Sequence, residues 1–354
     1  MLTKILSNHG PEIYDFEKEK QRWQGFLKIV HQPKPNFNNT PKQAVWKKNK
    51  ATLWHYPAVE KKYNIPIFFI PSLIGKPHVF DLAPGTSVFG NFVNSGYDVY
   101  FLDLGVPGYE DKDINIEDYI EDYIKKAVRR TLRHSGADEI SVVGYCFGGI
   151  LASIYASIAE EPIKNLVLIT VPLDFGVTIL PEAWMDAIKN DSLNLDRMID
   201  VYGLIPADYI DKMFKSCMGQ YVILSPYAAL LNRAHDKRFV EKWHRINYWT
   251  NDQIPMSGEA LRQLNNDFIK ENKLIRGEFS VRGKKANLKN INASLLVVSA
   301  KNDTIVLEEQ SRPIMDLVSS EDKTYQLVEG GHTNLAISGK LAHIISPWLS
   351  HRSE

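Results

Sequence analysis

The stretch of sequence that decides the fold is Val142-Val143-Gly144-Tyr145-Cys146-Phe147-Gly148-Gly149-Ile150. It begins with β-branched residues, which predict a buried strand, and it continues into an apolar pattern with helical spacing. Between the two lies Cys146, with glycines close by on both sides. Small neighbours allow a strand and a helix to pass closely at a strained turn. The stretch therefore predicts a strand, a tight turn and a helix, with Cys146 at the turn.

This pattern is typical of a nucleophile elbow, which is usually written G-x-S-x-G. Here it is Gly144-x-Cys146-x-Gly148, so the side chain at the turn is a thiol. The N-terminus of the following helix favours the thiolate, which is the reactive form of cysteine. Two alternatives stay open at this point: a cysteine that only packs in the core, and a glycine spacing that only lets a helix pack on a sheet.

The amino-acid composition limits the classes of protein to which this chain can belong. The chain has 354 residues, of which 44% are hydrophobic and 24% charged, as in ordinary globular proteins. The formal net charge is zero, so electrostatics favour neither nucleic acid nor an anionic membrane as a partner. No apolar run predicts a transmembrane segment, and residues 1–6 do not resemble a signal peptide. Since Cys146 and Cys217 are the only cysteines, we expect a reducing, cytoplasmic setting and a structural role for Cys217.

Hydrophobic patterning predicts an α/β fold. Residues 50–56 are predicted to form an edge strand, and residues 88–95 and 116–134 to form helices. Buried strands are predicted at residues 65–70, 98–103, 139–143, 165–170, 293–300 and 324–328. Strands that alternate with helices predict a mostly parallel, doubly wound sheet.

The same pass along the chain predicts four segments. An N-terminal helical arm and linker, 1–44, contains a helix over 12–30 and serves either surface packing or partner binding. The first part of the core follows over 45–176, and the second part lies over 277–354. Between them, residues 177–276 are rich in aromatics and have helical spacing, which predicts an inserted helical cap.

Two further polar residues follow predicted strands, where functional groups of a doubly wound sheet collect. Asp303 comes shortly after the strand at 293–300, and His332 shortly after the strand at 324–328. Cys146, Asp303 and His332 have the nucleophile–acid–histidine order of α/β-hydrolases, which is the fold that we predict. His332 would accept a proton and Asp303 would hold its tautomer. Taken singly, an Asp after a strand is more typical of a helix cap or a turn, and a His next to two glycines is typical of a turn as well.

An oxyanion hole would need two backbone N–H groups. In this fold one belongs to the residue after the nucleophile, Phe147, and the other to the loop after an early strand, residues 71–75. We interpret Ser72 in that loop as a loop hydroxyl, since it lacks an elbow. No ligand spacing predicts a metal site, and no glycine-rich motif predicts a nucleotide cofactor.

Several motifs carry a resemblance that covers about residues 40–348. They are Val45-Trp46-Lys47-Lys48-Asn49-Lys50, Pro84-Gly85-Thr86-Ser87, Gly96-Tyr97-Asp98-Val99-Tyr100-Phe101-Leu102-Asp103, Gly144-Tyr145-Cys146-Phe147-Gly148-Gly149, Arg238-Phe239-Val240-Glu241-Lys242-Trp243, Ile254-Pro255-Met256-Ser257-Gly258-Glu259, Asn272-Lys273-Leu274 and Gly330-Gly331-His332. With them, the sequence resembles the catalytic subunit of short-chain-length polyhydroxyalkanoate synthases, most like the class IV (Bacillus-type) enzymes and next the class III enzymes.

The resemblance implies a Cys146–Asp303–His332 triad, with Ile74 as the second oxyanion-hole residue. It implies polymerisation of a 3-hydroxyacyl-CoA such as 3-hydroxybutyryl-CoA into polyester through an acyl group on Cys146. Coenzyme A is then a leaving group, and no cofactor is needed. A small second synthase subunit, the growing polyester chain and the polymer granule surface are the implied partners, and the implied location is cytoplasmic, on granules.

Two positions depart from the family pattern. Asp303 is followed by Thr304 where the family has His, and Leu104 replaces a tryptophan. Both departures concern substrate handling and rate, because neither removes a triad member. Two other functions therefore stay open: a thioesterase or hydrolase on the same scaffold, in which water replaces the hydroxyl, and a catalytically weak scaffold protein of the granule.

Overall fold

The structure, a computed structural model, describes residues 16–30, 32–37, 39–178 and 180–353. The side chains of Val30, Phe214 and residues 217–223 lie outside this description. The structural role predicted for Cys217 and the first residues of the helix predicted over 12–30 therefore fall outside the described residues. The chain forms two compact units. The smaller contains the described residues up to Pro35 together with Gly219–Tyr248, and the larger contains Asn36–Met218 and Trp249 onward.

Twelve strands are present in the described ranges. They are β1 (Gln43–Lys48), β2 (Ala51–Tyr56), β3 (Ile67–Ile70), β4 (Val99–Asp103), β5 (Ile140–Tyr145), β6 (Ile163–Ile169), β7 (Leu204–Ile205), β8 (Met256–Ser257), β9 (Ser280–Val281), β10 (Lys284–Lys285), β11 (Ser294–Ala300) and β12 (Lys323–Val328).

The helices alternate with the long strands, and two of them run on through π-helical segments at Tyr119–Ile124 and Leu264–Lys270. They are α1 (Phe16–Val30), α2 (Val88–Asn94), α3 (Ile116–Asp118), α4 (Lys125–Ser135), α5 (Phe147–Ile158), α6 (Glu182–Lys189), α7 (Leu195–Tyr202), α8 (Ala207–Arg233), α9 (Lys237–Asn251), α10 (Gly258–Gln263), α11 (Lys273–Arg276), α12 (Glu308–Ser311), α13 (Ile314–Leu317), α14 (His332–Ile337) and α15 (Lys340–Ser350).

The main sheet has eight strands in the order β1-β2-β4-β3-β5-β6-β11-β12. From β4 to β12 all neighbours are parallel, whereas β1 and β2 pair antiparallel at one side. The prediction of a mostly parallel, doubly wound sheet is confirmed. The prediction that residues 50–56 form the edge strand is wrong, because β1 pairs outside β2. The two strands join through a tight turn in which Asn49 has a φ of 51°, a conformation that asparagine tolerates.

Two apolar layers cover the two faces of this sheet. Helices α3, α4 and α5 bury their apolar side chains against one face, and α2, α14 and α15 bury theirs against the other. The central strands β3 and β5 are buried along their whole lengths, as expected of parallel strands covered on both sides. The carboxyl ends of β5, β11 and β12 therefore open at the same edge of the sheet.

Between β6 and β11 the chain is mainly helical, from α6 to α11, with β7 and β8 forming a short antiparallel pair. The smaller unit has its own apolar cluster of Leu230, Ala234, Val240 and Trp243, against which Phe26 packs. The boundaries predicted for the arm, the cap and the two parts of the core stay a prediction. Within the described ranges, the apolar stretches of the helices are all too short to cross a membrane.

The junction of β5 with α5 is very closely packed. A Cβ added to Gly144 would lie 2.6 Å from the Gly148 carbonyl oxygen, and one added to Gly148 would lie 2.5 Å from the Ile70 carbonyl oxygen. At Gly149 it would lie 2.7 Å from Cγ2 of Val171. Such distances are shorter than real side chains tolerate, so all three glycines are needed for the helix to lie this close to the sheet.

We expect Gly149→Ala to lower the free energy of unfolding by about 1–3 kcal/mol, because its methyl group overlaps Val171. The variant Val171→Ala makes room for that methyl group, so the double variant is more stable than the sum of the single losses by about 1 kcal/mol. Urea denaturation of the four proteins measures this coupling. As a control, Gly136→Ala places its Cβ with nothing within 4 Å and should be additive with Val171→Ala. Equal coupling in both cycles would contradict the packing argument.

Candidate active site

Cys146 lies at the turn between β5 and α5, as predicted. Its φ is 53° and its ψ is −124°, a conformation that side chains other than glycine rarely adopt. Its amide donates to the Ile169 carbonyl at 2.9 Å, and its own carbonyl accepts from the Gly149 amide at 2.8 Å. The side chain is a free, half-buried thiol. A strained backbone that is held on both sides presents the sulfur beyond the strand end, which is the geometry of an elbow.

His332 and Asp303 form a direct pair. Nδ1 of His332 lies 2.8 Å from Oδ2 of Asp303, and their side chains are 10% and 1% exposed. Asp303 follows β11 by three residues, and His332 is the first residue of α14, which follows β12. The parallel pairing of β11 with β12 brings the two loops together at the carboxyl ends of the strands. The structure thus places both residues at the predicted edge of the sheet.

The two oxygens of the Asp303 carboxylate have different partners. Oδ1 accepts the backbone amides of Ile305 at 2.8 Å and Val306 at 2.9 Å, which is an Asx turn. Oδ2 accepts the hydrogen bond of His332. Asp303 is therefore both a turn residue and the partner of the imidazole, because the turn directs its second oxygen at His332.

His332 also interacts with Cys146. Burial alone would lower the pKa of His332, but the negative charge of a Cys146 thiolate and the hydrogen bonds to Asp303 and Cys146 raise it to about 10. The ring therefore holds a proton between the sulfur and the carboxylate near neutral pH. The structure brings Cys146, His332 and Asp303 into one chain of contacts.

Tyr145 is a site residue that the sequence reasoning missed. Its hydroxyl donates to the backbone carbonyl of His332, and the two rings lie 5.3 Å apart. Burial, followed by the charges of Cys146 and Asp303, raises the pKa of Tyr145 well above its ordinary value, so the hydroxyl stays a donor. One feature of the sequence pointed to Tyr145. It places a phenolic hydroxyl at the last residue of a fully buried strand, directly before the nucleophile position.

The two predicted oxyanion donors differ in their present contacts. Phe147 is the first residue of α5, where a backbone amide has no acceptor within its own helix. The amide of Ile74 donates to the Ser72 hydroxyl oxygen at 3.1 Å, so Ser72 is bound within its own loop. An oxyanion at Ile74 would have to replace the Ser72 oxygen as the acceptor.

The two departures from the family pattern lie in different surroundings. Thr304 is exposed, directly after Asp303. Leu104 is partly buried after β4 and packs against the core on the α5 side of the sheet. Within the described part of the chain, no group of three or more His, Cys, Asp or Glu side chains could hold a metal ion.

Comparison with known proteins places this chain in a family. A family model described as the alpha/beta hydrolase fold matches residues 65–201. The poly(3-hydroxyalkanoate) polymerase subunit PhaC of Haloferax mediterranei is 30% identical over 97% of this chain and 73% of its own length. That of Synechocystis sp. is 30% identical over 88% of this chain and 85% of its own. The chain belongs to the poly(3-hydroxyalkanoate) polymerase PhaC family.

A further relative agrees with this assignment, and solved structures show the fold. The PhaC subunit of Allochromatium vinosum is 27% identical over 93% of this chain and 94% of its own length. Among solved structures, a soluble variant of monoglyceride lipase from Saccharomyces cerevisiae has a TM-score of 0.60 and 13% identity over 91% of this chain and all (100%) of that chain. A thermophilic esterase from Thermogutta terrifontis has a TM-score of 0.53 and 10% identity, over 89% and 100% of the two chains. These structures share the fold, and the prediction of an α/β-hydrolase fold is confirmed.

We expect Cys146→Ser to lower the pKa of His332 in this PhaC-family chain, because the substitution removes the negative charge that favours the imidazolium. In wild type, the folded protein binds more protons than the unfolded chain between about pH 6.5 and pH 10. The contribution of His332 to stability is thus complete below about pH 6.5 and is lost as the pH rises through about 10. NMR titration of the ring nitrogens gives the pKa of His332 in wild type and in the variant. An unchanged pKa in the variant would show that the thiolate does not act on His332.

We expect Tyr145→Phe to lower the free energy of unfolding by about 1–3 kcal/mol, since it leaves the His332 carbonyl without its donor. Urea denaturation gives the value. The matched control is Tyr227→Phe, which removes an exposed hydroxyl bonded to Asn247 at 3.2 Å and should change stability by less than about 0.5 kcal/mol. Equal losses in the two variants would argue against a buried hydrogen bond at Tyr145.

Proposed function

We propose that this chain polymerises short 3-hydroxyacyl-CoA thioesters, such as 3-hydroxybutyryl-CoA, into polyhydroxyalkanoate and releases coenzyme A. The observation that carries the proposal is a cysteine at the elbow, beside a buried imidazole–carboxylate pair, in a chain of the PhaC family. The relatives named above are poly(3-hydroxyalkanoate) polymerases. Coenzyme A is here a leaving group, and the mechanism needs no cofactor.

In the first step the Cys146 thiolate attacks the thioester carbonyl carbon. The amides of Phe147 and Ile74 hold the negative charge that develops on the carbonyl oxygen. The carbon–sulfur bond to coenzyme A then breaks, and the proton on His332 passes to the departing thiolate. One thioester replaces another, so the step has little thermodynamic cost and the acyl group stays activated on the enzyme.

In the second step a 3-hydroxyl group attacks the acyl group on Cys146. The hydroxyl proton passes to His332, whose tautomer Asp303 fixes through the 2.8 Å hydrogen bond. The carbon–sulfur bond to Cys146 breaks, an ester forms and the thiolate is restored beside an imidazolium. A more direct role of Asp303 in activating that hydroxyl is an alternative, which an Asp303→Asn variant addresses.

The remaining expectations belong to this proposal. They are a class III or IV type of synthase, a small second subunit, and a cytoplasmic location at the polymer granule surface. Their support is the sequence resemblance, together with relatives that are named as subunits. A thioesterase would use the same acyl-enzyme with water as the second nucleophile, and a weak scaffold protein would retain the fold without turnover.

We expect wild type to release coenzyme A from 3-hydroxybutyryl-CoA and to form polymer, when a candidate second subunit is present. Cys146→Ala should abolish both, and Asp303→Asn should lower kcat by about 10⁴-fold if the carboxylate orients His332 as in other triads. Coenzyme A is followed with a thiol reagent, and the product is analysed as polymer or free acid. The control is Asp316→Asn, a carboxylate on α13 away from the three strand ends.

The product decides between the candidate functions. Polymer that depends on Cys146 supports the synthase. Coenzyme A release with only free 3-hydroxybutyrate would overturn it in favour of a thioesterase, and no release by wild type with a suitable second subunit would favour the scaffold protein.

A further inference from the structure

The loop that carries Ile74 is fixed at both of its ends. At the first end, the Ile70 and Pro71 carbonyl oxygens lie so near Gly148 that a Cβ there would be 2.5 Å and 2.9 Å from them. This end is therefore set by the elbow helix itself. We call residues 72–76 the oxyanion loop, because the Ile74 amide is the proposed second donor to the oxyanion.

At its other end, the oxyanion loop is held through Lys76 by residues more than 170 positions later in the sequence. The Trp249 indole N–H donates to the Lys76 carbonyl oxygen at 2.8 Å. The Lys76 ammonium lies 2.6 Å from Oδ1 of Asp252, and both side chains are 22% exposed. Trp249 and Asp252, which lie in one short segment, thus bind Lys76 at its main chain and at its side chain.

The part of the loop between these ends is short and conformationally unusual. Gly75 has a φ of 77°, and a Cβ added there would lie 3.6 Å from Oε1 of Gln253, which belongs to the same segment. Lys76 is only two residues from Ile74, so the position of Lys76 limits where the Ile74 amide can lie. Donors in an oxyanion hole act only when they are aimed at the oxyanion to within a fraction of an ångström.

We propose that Trp249 and Asp252 are positioning residues for acyl transfer, which hold Lys76 so that the Ile74 amide can exchange the Ser72 oxygen for the oxyanion. The inference rests on the proposed function for the reaction that it affects. Neither residue touches the reacting atoms in this account. The Lys76–Asp252 ion pair is partly exposed and contributes little to global stability. The Trp249 ring also packs against the apolar core, so its substitution needs a control tryptophan from the same core.

The variants Trp249→Phe and Asp252→Asn test this proposal with small changes of shape. The first removes the indole donor together with part of a ring that packs on the core, and the second removes the charge. The structure offers matched controls of the same chemistry far along the chain. Trp348→Phe removes an indole N–H that donates to the Thr324 hydroxyl at 3.0 Å. Asp322→Asn removes a charge that pairs with Arg352.

Three measurements separate positioning from a general loss of structure. The first is kcat and KM for coenzyme A release. The second is the rate at which iodoacetamide alkylates Cys146, a reaction that forms no oxyanion and so needs no aimed amide. The third is hydrogen exchange in the peptide that contains the oxyanion loop, which reports on the loop without any substrate.

We expect each test variant to lower kcat by about tenfold, less than the roughly 10²–10³-fold loss for removal of an oxyanion donor. KM and the alkylation rate should stay within about twofold of wild type, since substrate binding and the thiolate are intact. The oxyanion loop should exchange faster. The control variants should match wild type in all three measurements, and Asp252→Glu, which keeps the charge, should recover part of kcat.

Loop exchange and kcat equal to those of wild type would overturn the proposal. So would a parallel fall of kcat, alkylation rate and thermal midpoint, which would show a general structural loss. If wild type released no coenzyme A, the proposed function would fail, while the exchange measurement would still decide whether Trp249 and Asp252 fix the loop.

Discussion

The strained backbone at Cys146 is the constraint on which the rest of the site depends. A φ of 53° costs a side chain other than glycine on the order of 1–2 kcal/mol. The structure offsets this cost with the hydrogen bonds of the Cys146 amide and carbonyl, and with glycines that let α5 approach β5 and β3. The close approach of Gly148 to the Ile70 carbonyl then determines where the oxyanion loop begins. The strained turn therefore fixes the positions of the sulfur, the Phe147 amide and one end of that loop.

Electrostatic interactions among the site residues add to the geometry that the elbow provides. The negative charge of an ionised Cys146 and the hydrogen bonds to Asp303 and Cys146 raise the pKa of His332 in spite of its burial. Tyr145 connects the two elements mechanically, because it directly precedes the nucleophile and its hydroxyl holds the His332 carbonyl. The imidazole is thus fixed on one side by the Asp303 turn and on the other by the strand that presents the sulfur.

Local patterns in the sequence were sufficient for seven of the eight strands of the main sheet, the elbow and the strand-end positions of Asp303 and His332. These features depend on neighbours within a few residues or on the general rule for parallel strands. The charged strand β1 (Gln43–Lys48) was missed, because its burial does not alternate and a bulge between Ala44 and Trp46 interrupts its pairing with β2. The Tyr145–His332 contact could not be predicted, since it joins residues 187 positions apart. Such contacts follow from the packing of loops, which no periodicity encodes.

The choice of sulfur over oxygen at the elbow favours polymer formation on energetic grounds. An acyl group on a serine would be an oxygen ester, and passing it to a 3-hydroxyl would exchange one ester for another. On Cys146 it remains a thioester, so attack by a hydroxyl is downhill and can drive chain growth. Water competes for the same acyl group, but a hydroxyl on a chain end held beside it can reach an effective concentration of about 10⁵ M or more. Positioning of the chain end therefore decides whether this thiol site makes polymer or free acid.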